Sequence, residues 1–148
     1  MQFQLSTTLH FLHLENAIFC AEQCISNEIK LIEISSSLLK HVGMHSLQFF
    51  HERFPDTYLI IDAKILKANK EEWKIFSESG AKGLTISAAI SNKNLDLCLE
   101  LAKQYDIEIF LDFRNCDLDL IAHHMHNLNK ADYILLDWVI IFNTLCIE

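Results

Sequence analysis

Apolar residues fall along this chain in two alternating rhythms. Short runs of nearly continuous apolar residues read as strands at Phe3–Thr7, Ile29–Ile34, Tyr58–Ala63, Gly83–Ser87, Ile107–Phe113 and Tyr133–Leu136. The third, Tyr58-Leu59-Ile60-Ile61, is apolar at successive positions, as a strand buried on both faces must be. Between the runs, apolar residues recur every three or four positions, which predicts helices over about Leu14–Cys24, Met44–Phe54, Lys70–Ser79, Asn94–Tyr105 and Asp117–Leu128. Pro55-Asp56 stops the second helix and Gly80 caps the third. Ser35-Ser36-Ser37 reads as a polar turn, and the apolar segment Trp138–Glu148 fits strand or helix.

Strict alternation of strand and helix implies parallel pairing through right-handed crossovers. Two α/β architectures satisfy it, an open doubly wound sheet and a (β/α) barrel, and both place their sites at the carboxyl ends of the strands. No glycine-rich phosphate loop follows the first strand, which favours the barrel-type arrangement. The 148 residues suit one domain spanning 1–148, with about six βα units.

Charge and composition narrow the partners. The net charge of −8, with no basic patch, disfavours a nucleic-acid partner held by phosphate contacts. No stretch approaches the roughly 20 apolar residues of a membrane span, and the start Met1-Gln2-Phe3-Gln4 lacks a signal peptide's pattern, so a cytoplasmic protein is expected. Five cysteines without a Cys-x-x-Cys read as reduced thiols.

Candidate chemistry collects at the strand ends. Asp62 and Lys64 lie two residues apart at the end of the third strand, so regular alternation puts both on one side. An acid and a base there are costly to bury unless they serve each other or a ligand. Thr8, Glu33, Ser87, Asp112 and Asp137 occupy comparable places, with a turn or cap role equally open to the two aspartates. The histidines of His123-His124-x-His126 cannot converge from one helix face and read as solvated, Cys20 and Cys24 as core thiols, and Trp73 with Phe76 as core.

Gln4-Leu5, Ile32-Glu33-Ile34 with Leu38, Lys40 and Gly43, Arg53-Phe54-Pro55, Asp62-x-Lys64, Ser79-Gly80-Ala81, Leu84-Thr85 and Asp132-Tyr133-Ile134 follow one another in an order and spacing that resembles the 3-hexulose-6-phosphate synthases. These lie in the orotidine 5′-phosphate decarboxylase superfamily. The resemblance implies an incomplete (β/α)8 TIM-type barrel, a homodimer or pairing with another chain, a phosphorylated sugar substrate, and a Mg²⁺-assisted aldol condensation of formaldehyde with ribulose 5-phosphate. Carried over by position, it makes Glu33 and Asp62 metal ligands, and Asp62 and Lys64 catalytic, with Lys64 the cation beside a developing enediolate. Carboxylate oxygens suit Mg²⁺, and a cation at a forming oxyanion is effective catalysis.

The departures are specific. The family's Asp-x-Lys-x-x-Asp ends here in Lys67, Thr8 stands where an acid is expected, Asp137 where a histidine is common, and Ser35-Ser36-Ser37 replaces Gly-Thr-Pro. A full barrel takes about 200–250 residues, and the resemblance places the glycine-rich phosphate grip on its last two strands, beyond the six read here. Three functions therefore stand: a sugar-phosphate lyase of this type, working or impaired; a non-catalytic interaction protein that pairs through its barrel edge; and a related enzyme or decarboxylase acting on another phosphorylated substrate.

Overall fold

The computed structural model describes residues 6–114, 116–124 and 129–135. Their order is β1 (Ser6–Leu9), α1 (Leu14–Ser26), β2 (Leu31–Ile34), α2 (Ser36–Val42), α3 (His45–Arg53), β3 (Tyr58–Ile65), α4 (Lys70–Glu78), β4 (Gly83–Ser87), α5 (Asn92–Tyr105), β5 (Glu108–Asp112), α6 (Leu118–His124) and β6 (Tyr133–Leu135). All six expected strands form, with ends displaced by a few residues. Asp137 and the segment Trp138–Glu148 lie outside the described residues.

The strands lie side by side in chain order, β1-β2-β3-β4-β5-β6, and every neighbouring pair is parallel. A doubly wound sheet reverses its strand order at a switch point. None occurs here, and the sheet curls as an incomplete (β/α)8 barrel does.

Alternation along each strand divides its residues between two faces. Leu9, Ile32, Ile34, Leu59, Ile61, Leu84, Ile86, Ile109 and Leu111 are buried in one core with Ala17, Ala21, Leu38, Leu47, Phe50, Trp73 and Cys98 of the helices. The other face carries Thr8, Glu33, Ile60, Asp62, Thr85, Phe110 and Asp112, and it is the barrel interior. Lower on this face Phe110 stacks on Tyr133 at 4.3 Å between ring centroids, and Tyr58 lies 6.2 Å to its other side. The Tyr58 hydroxyl donates to Glu108. Gly83 is required here because a Cβ would overlap the Phe110 ring.

One element departs from expectation. The serine run is no turn: Ser35 is the N-cap of α2, its hydroxyl accepting from Leu38 N–H at 3.2 Å. Serine serves turns and caps through the same property, an oxygen that satisfies an orphan backbone donor. Ser35 is fully buried, so no water replaces a lost cap, and Ser35→Ala is expected to cost about 1–2 kcal/mol in urea denaturation.

A pH effect follows from Cys98 on α5. Burial pushes its thiol from 9.0 to about 11. The folded chain then holds the proton that the unfolded chain releases between those values, so this group's contribution to stability is intact below pH 9 and falls as pH rises toward 11. Urea melts at pH 8 and pH 10.5 should show a larger alkaline loss for the wild type than for Cys98→Ala, by on the order of 1–2 kcal/mol.

Candidate active site

Three parallel strands, β2, β3 and β5, bring acidic or basic side chains to one mouth. Register pairs Thr8 with Glu33 and Glu33 with Ile60, so Glu33 projects to the same side as Asp62, two residues further along β3. On β5, Asp112 lies two residues beyond Phe110, which pairs with Thr85. The carboxylates of Glu33, Asp62 and Asp112 thereby meet in the interior, each no more than 3% exposed. Three buried negative charges could not stand alone.

Arg114 joins them. Its Nη1 donates to Glu33 Oε2 at 2.9 Å and its Nη2 to Glu33 Oε1 at 2.6 Å, a two-pronged grip on one carboxylate. Nε and Nη2 each reach Asp112, at 2.9 Å to Oδ1 and 2.9 Å to Oδ2. Nη2 also lies 3.4 Å from Asp62 Oδ1. The Arg114 backbone N–H donates to Asp112 Oδ1 at 2.8 Å, fixing the turn that aims the side chain inward. Burial opposes the guanidinium charge, but the bonds to Asp112 and Glu33 outweigh it and hold its pKa above the ordinary value.

The remaining polar groups complete this network. Thr8 Oγ1 donates to Glu33 Oε2 at 2.6 Å, occupying a lone pair beside the Arg114 bond. Thr85 Oγ1 donates to Asp62 Oδ1 at 3.4 Å and accepts from Lys64 N–H at 2.9 Å. Ser36 N–H, at the start of α2, contacts Asp62 Oδ2 at 3.5 Å. Lys64 Nζ stands 3.6 Å from Asp112 Oδ2, with 43% of its side chain exposed.

Glu33, Asp62 and Lys64 therefore share one mouth, as read from the sequence, and Asp112 lies with them. The route differs at Lys64. Regular alternation predicts that it lies beside Asp62, but β3 breaks register between Ile61 and Ile65, and Lys64 has a left-handed φ of 46°. Its ammonium consequently pairs with Asp112 across the mouth. Ser87 stays outside the cluster, its hydroxyl accepting from Ala89 N–H at 3.2 Å. Asp137, His126 and the side chains of His123 and His124 lie outside what is described. Cys20, Cys24, Cys98 and Cys116 are free thiols. Arg114 was not foreseen, although a basic residue two positions past Asp112 is the one signal the sequence offers.

The chain shares sequence and fold with proteins already known. The chain is 26% identical over 132 residues to the 3-hexulose-6-phosphate synthase of Bacillus subtilis, covering 88% of this chain and 62% of that protein. The chain resembles the 3-hexulose-6-phosphate synthases in sequence and in fold. It is also 29% identical over 94 residues to a probable 3-keto-L-gulonate-6-phosphate decarboxylase of Haemophilus influenzae, covering 64% of this chain and 41% of that one. The crystal structure of the synthase from Salmonella typhimurium superposes with a TM-score of 0.79 at 21% identity, over 90% of this chain and 63% of that one. That of the decarboxylase from Vibrio cholerae gives 0.71 at 21% identity, over 85% and 58%. The chain thus spans about three fifths of the length of the synthase, and no family model matches it.

The Mg²⁺ site implied by the resemblance can be tested against these side chains. Glu33 and Asp62 supply suitable oxygens, but both Glu33 oxygens and Asp62 Oδ1 face the Arg114 guanidinium. The arrangement does not fit a divalent ion on that pair while Arg114 holds it. Among the described residues, no cluster of three or more His, Cys, Asp or Glu side chains is arranged to hold a metal.

Removing the guanidinium leaves three buried carboxylates without their main partner. Arg114→Met is expected to lose about 3–5 kcal/mol in urea denaturation. Lys64→Met, whose ammonium is half-exposed, should lose under about 1 kcal/mol.

Proposed function

We propose that this chain carries sugar-phosphate lyase chemistry of the hexulose-phosphate synthase type, making or breaking a carbon–carbon bond beside a carbonyl, in the cytoplasm and on a phosphorylated sugar. The observation that carries this reading is the convergence of Glu33, Asp62, Lys64 and Asp112 at the carboxyl ends of three adjacent or near-adjacent parallel strands, together with the resemblance over 88% of the chain. Parallel barrels place catalytic residues at that end.

Lys64 and Asp62 are the proposed catalytic residues. In the synthase direction the Asp62 carboxylate takes the proton from the carbon beside the substrate carbonyl, and the electron pair spreads onto oxygen as an enediolate. That pair then forms the bond to the formaldehyde carbon as the C=O π bond breaks, and the formaldehyde oxygen takes the proton held by Asp62. The half-exposed Lys64 ammonium is suited to the developing oxyanion, a charge that grows only on reaction. Asp62 acts at the same end: through Thr85 Oγ1 it connects to Lys64 N–H, and this chain fixes the turn that aims Lys64.

A second reading has its own support. β1 and β6 are the edges of the sheet among the described residues, and unpaired edges of a curled parallel sheet invite pairing with another copy or chain. A homodimer satisfies this reading with or without catalysis.

Incubating the protein with ribulose 5-phosphate and formaldehyde should yield hexulose 6-phosphate. Lys64→Ala should lower the rate by about 100-fold or more while circular dichroism stays unchanged. Absence of product with and without Mg²⁺, or equal rates for both proteins, would leave the pairing reading in its place.

A further inference from the structure

The geometry points to Arg114 as a built-in replacement for a divalent cation: its guanidinium takes the place between Glu33, Asp62 and Asp112, and the site works on its anionic substrate without a metal. The inference deepens the lyase reading and rests on it for the word substrate, but the occupancy itself stands on the bonds alone. A divalent ion at such a mouth would have two tasks, to neutralise the converging carboxylates and to offer positive charge to an oxygen of the ligand. Arg114 meets the first directly. Three of its nitrogens donate to Glu33 and Asp112 at 2.6–2.9 Å, and Nη2 also approaches Asp62.

The second task follows from counting donors. A guanidinium has five N–H hydrogens. Nε uses its one on Asp112, Nη2 directs its two toward Glu33 and Asp112, and Nη1 uses one on Glu33. One Nη1 hydrogen is left among the described residues, and 21% of the side chain is exposed. With Lys64, which touches the same Asp112 oxygen as Nη2, the mouth presents two fixed cations to an incoming oxyanion.

Displacement by an ion is unfavourable for a physical reason. Mg²⁺ prefers octahedral oxygen coordination at about 2.0–2.1 Å and gives up water reluctantly. To reach Glu33 it must expel the guanidinium, and Thr8 already bonds Glu33 Oε2. Thr8 also removes the acid that the family resemblance expects there, so the donor set is weaker by one carboxylate just where Arg114 supplies a charge.

Calorimetric titration of the full chain with Mg²⁺ tests the occupancy without reference to turnover. The wild type should show no binding up to about 10 mM, and Arg114→Ala, studied at low temperature, should bind at least tenfold more tightly than the wild type, with a matching rise in melting temperature on adding Mg²⁺. Submillimolar binding by the wild type overturns the inference whatever the variants do, as does a folded Arg114→Ala that gains no affinity. If Arg114→Ala does not fold, Arg114→Gln, which keeps hydrogen-bond donors but removes the charge, should show the same gain, and its failure to do so counts equally against the proposal. Product formed by the wild type in excess EDTA supports both readings. Absence of product with Mg²⁺ binding also absent sinks the lyase reading and leaves Arg114 as the resident cation.

Discussion

One guanidinium holds the interior of this sheet together. Glu33, Asp62 and Asp112 come from β2, β3 and β5, and alternation along these parallel strands turns all three side chains to the same interior face. Arg114 is the group that makes this convergence tolerable, because its planar fork bonds two carboxylates at once and leans on the third. A lysine in its place would offer a single point of charge. The strands could pair without Arg114, but the curvature that brings their ends together would then concentrate charge of one sign in an environment poor in water.

The same interaction bears on the backbone. Lys64 adopts a left-handed conformation that a non-glycine residue enters only at a cost of about 1–3 kcal/mol. Its N–H donates to Thr85, and Thr85 in turn donates to Asp62, which contacts Arg114. The irregularity in β3 is thus braced by the charge network, and the bracing turns Lys64 across the mouth toward Asp112. Backbone that would relax in an ordinary strand is held where a side chain must be aimed.

What could be read from the chain was set by the range of the interactions. The strands were legible because burial on both faces writes continuous apolar runs such as Leu59-Ile60-Ile61. Glu33, flanked by Ile32 and Ile34, stood out because a charge in such a run needs a partner. That partner was not legible: Arg114 is 81 residues away, and only the curl of the sheet brings it to Glu33. Alternation assigned Lys64 a place beside Asp62, and a local break in register overrode it. Ser35 was ambiguous for a different reason, since a capping hydroxyl and a turn hydroxyl answer the same backbone need.

Charge at the mouth also constrains how an anionic sugar phosphate could be held. Three carboxylates and two cations leave a formal sum of −1, on a chain whose net charge is −8. A phosphate dianion set among Glu33, Asp62 and Asp112 would be repelled at short range, where little water screens it. Under the proposed lyase reading, the cationic donors would suit a single developing oxygen, and a substrate phosphate would have to be held away from this cluster. Division of labour of that kind, with remote binding separated from the reacting centre, is what allows binding energy to support a chemical step. On that same proposed reading, Arg114 and Lys64 would serve the carbon–carbon bond, and holding the phosphate would fall to groups outside their reach.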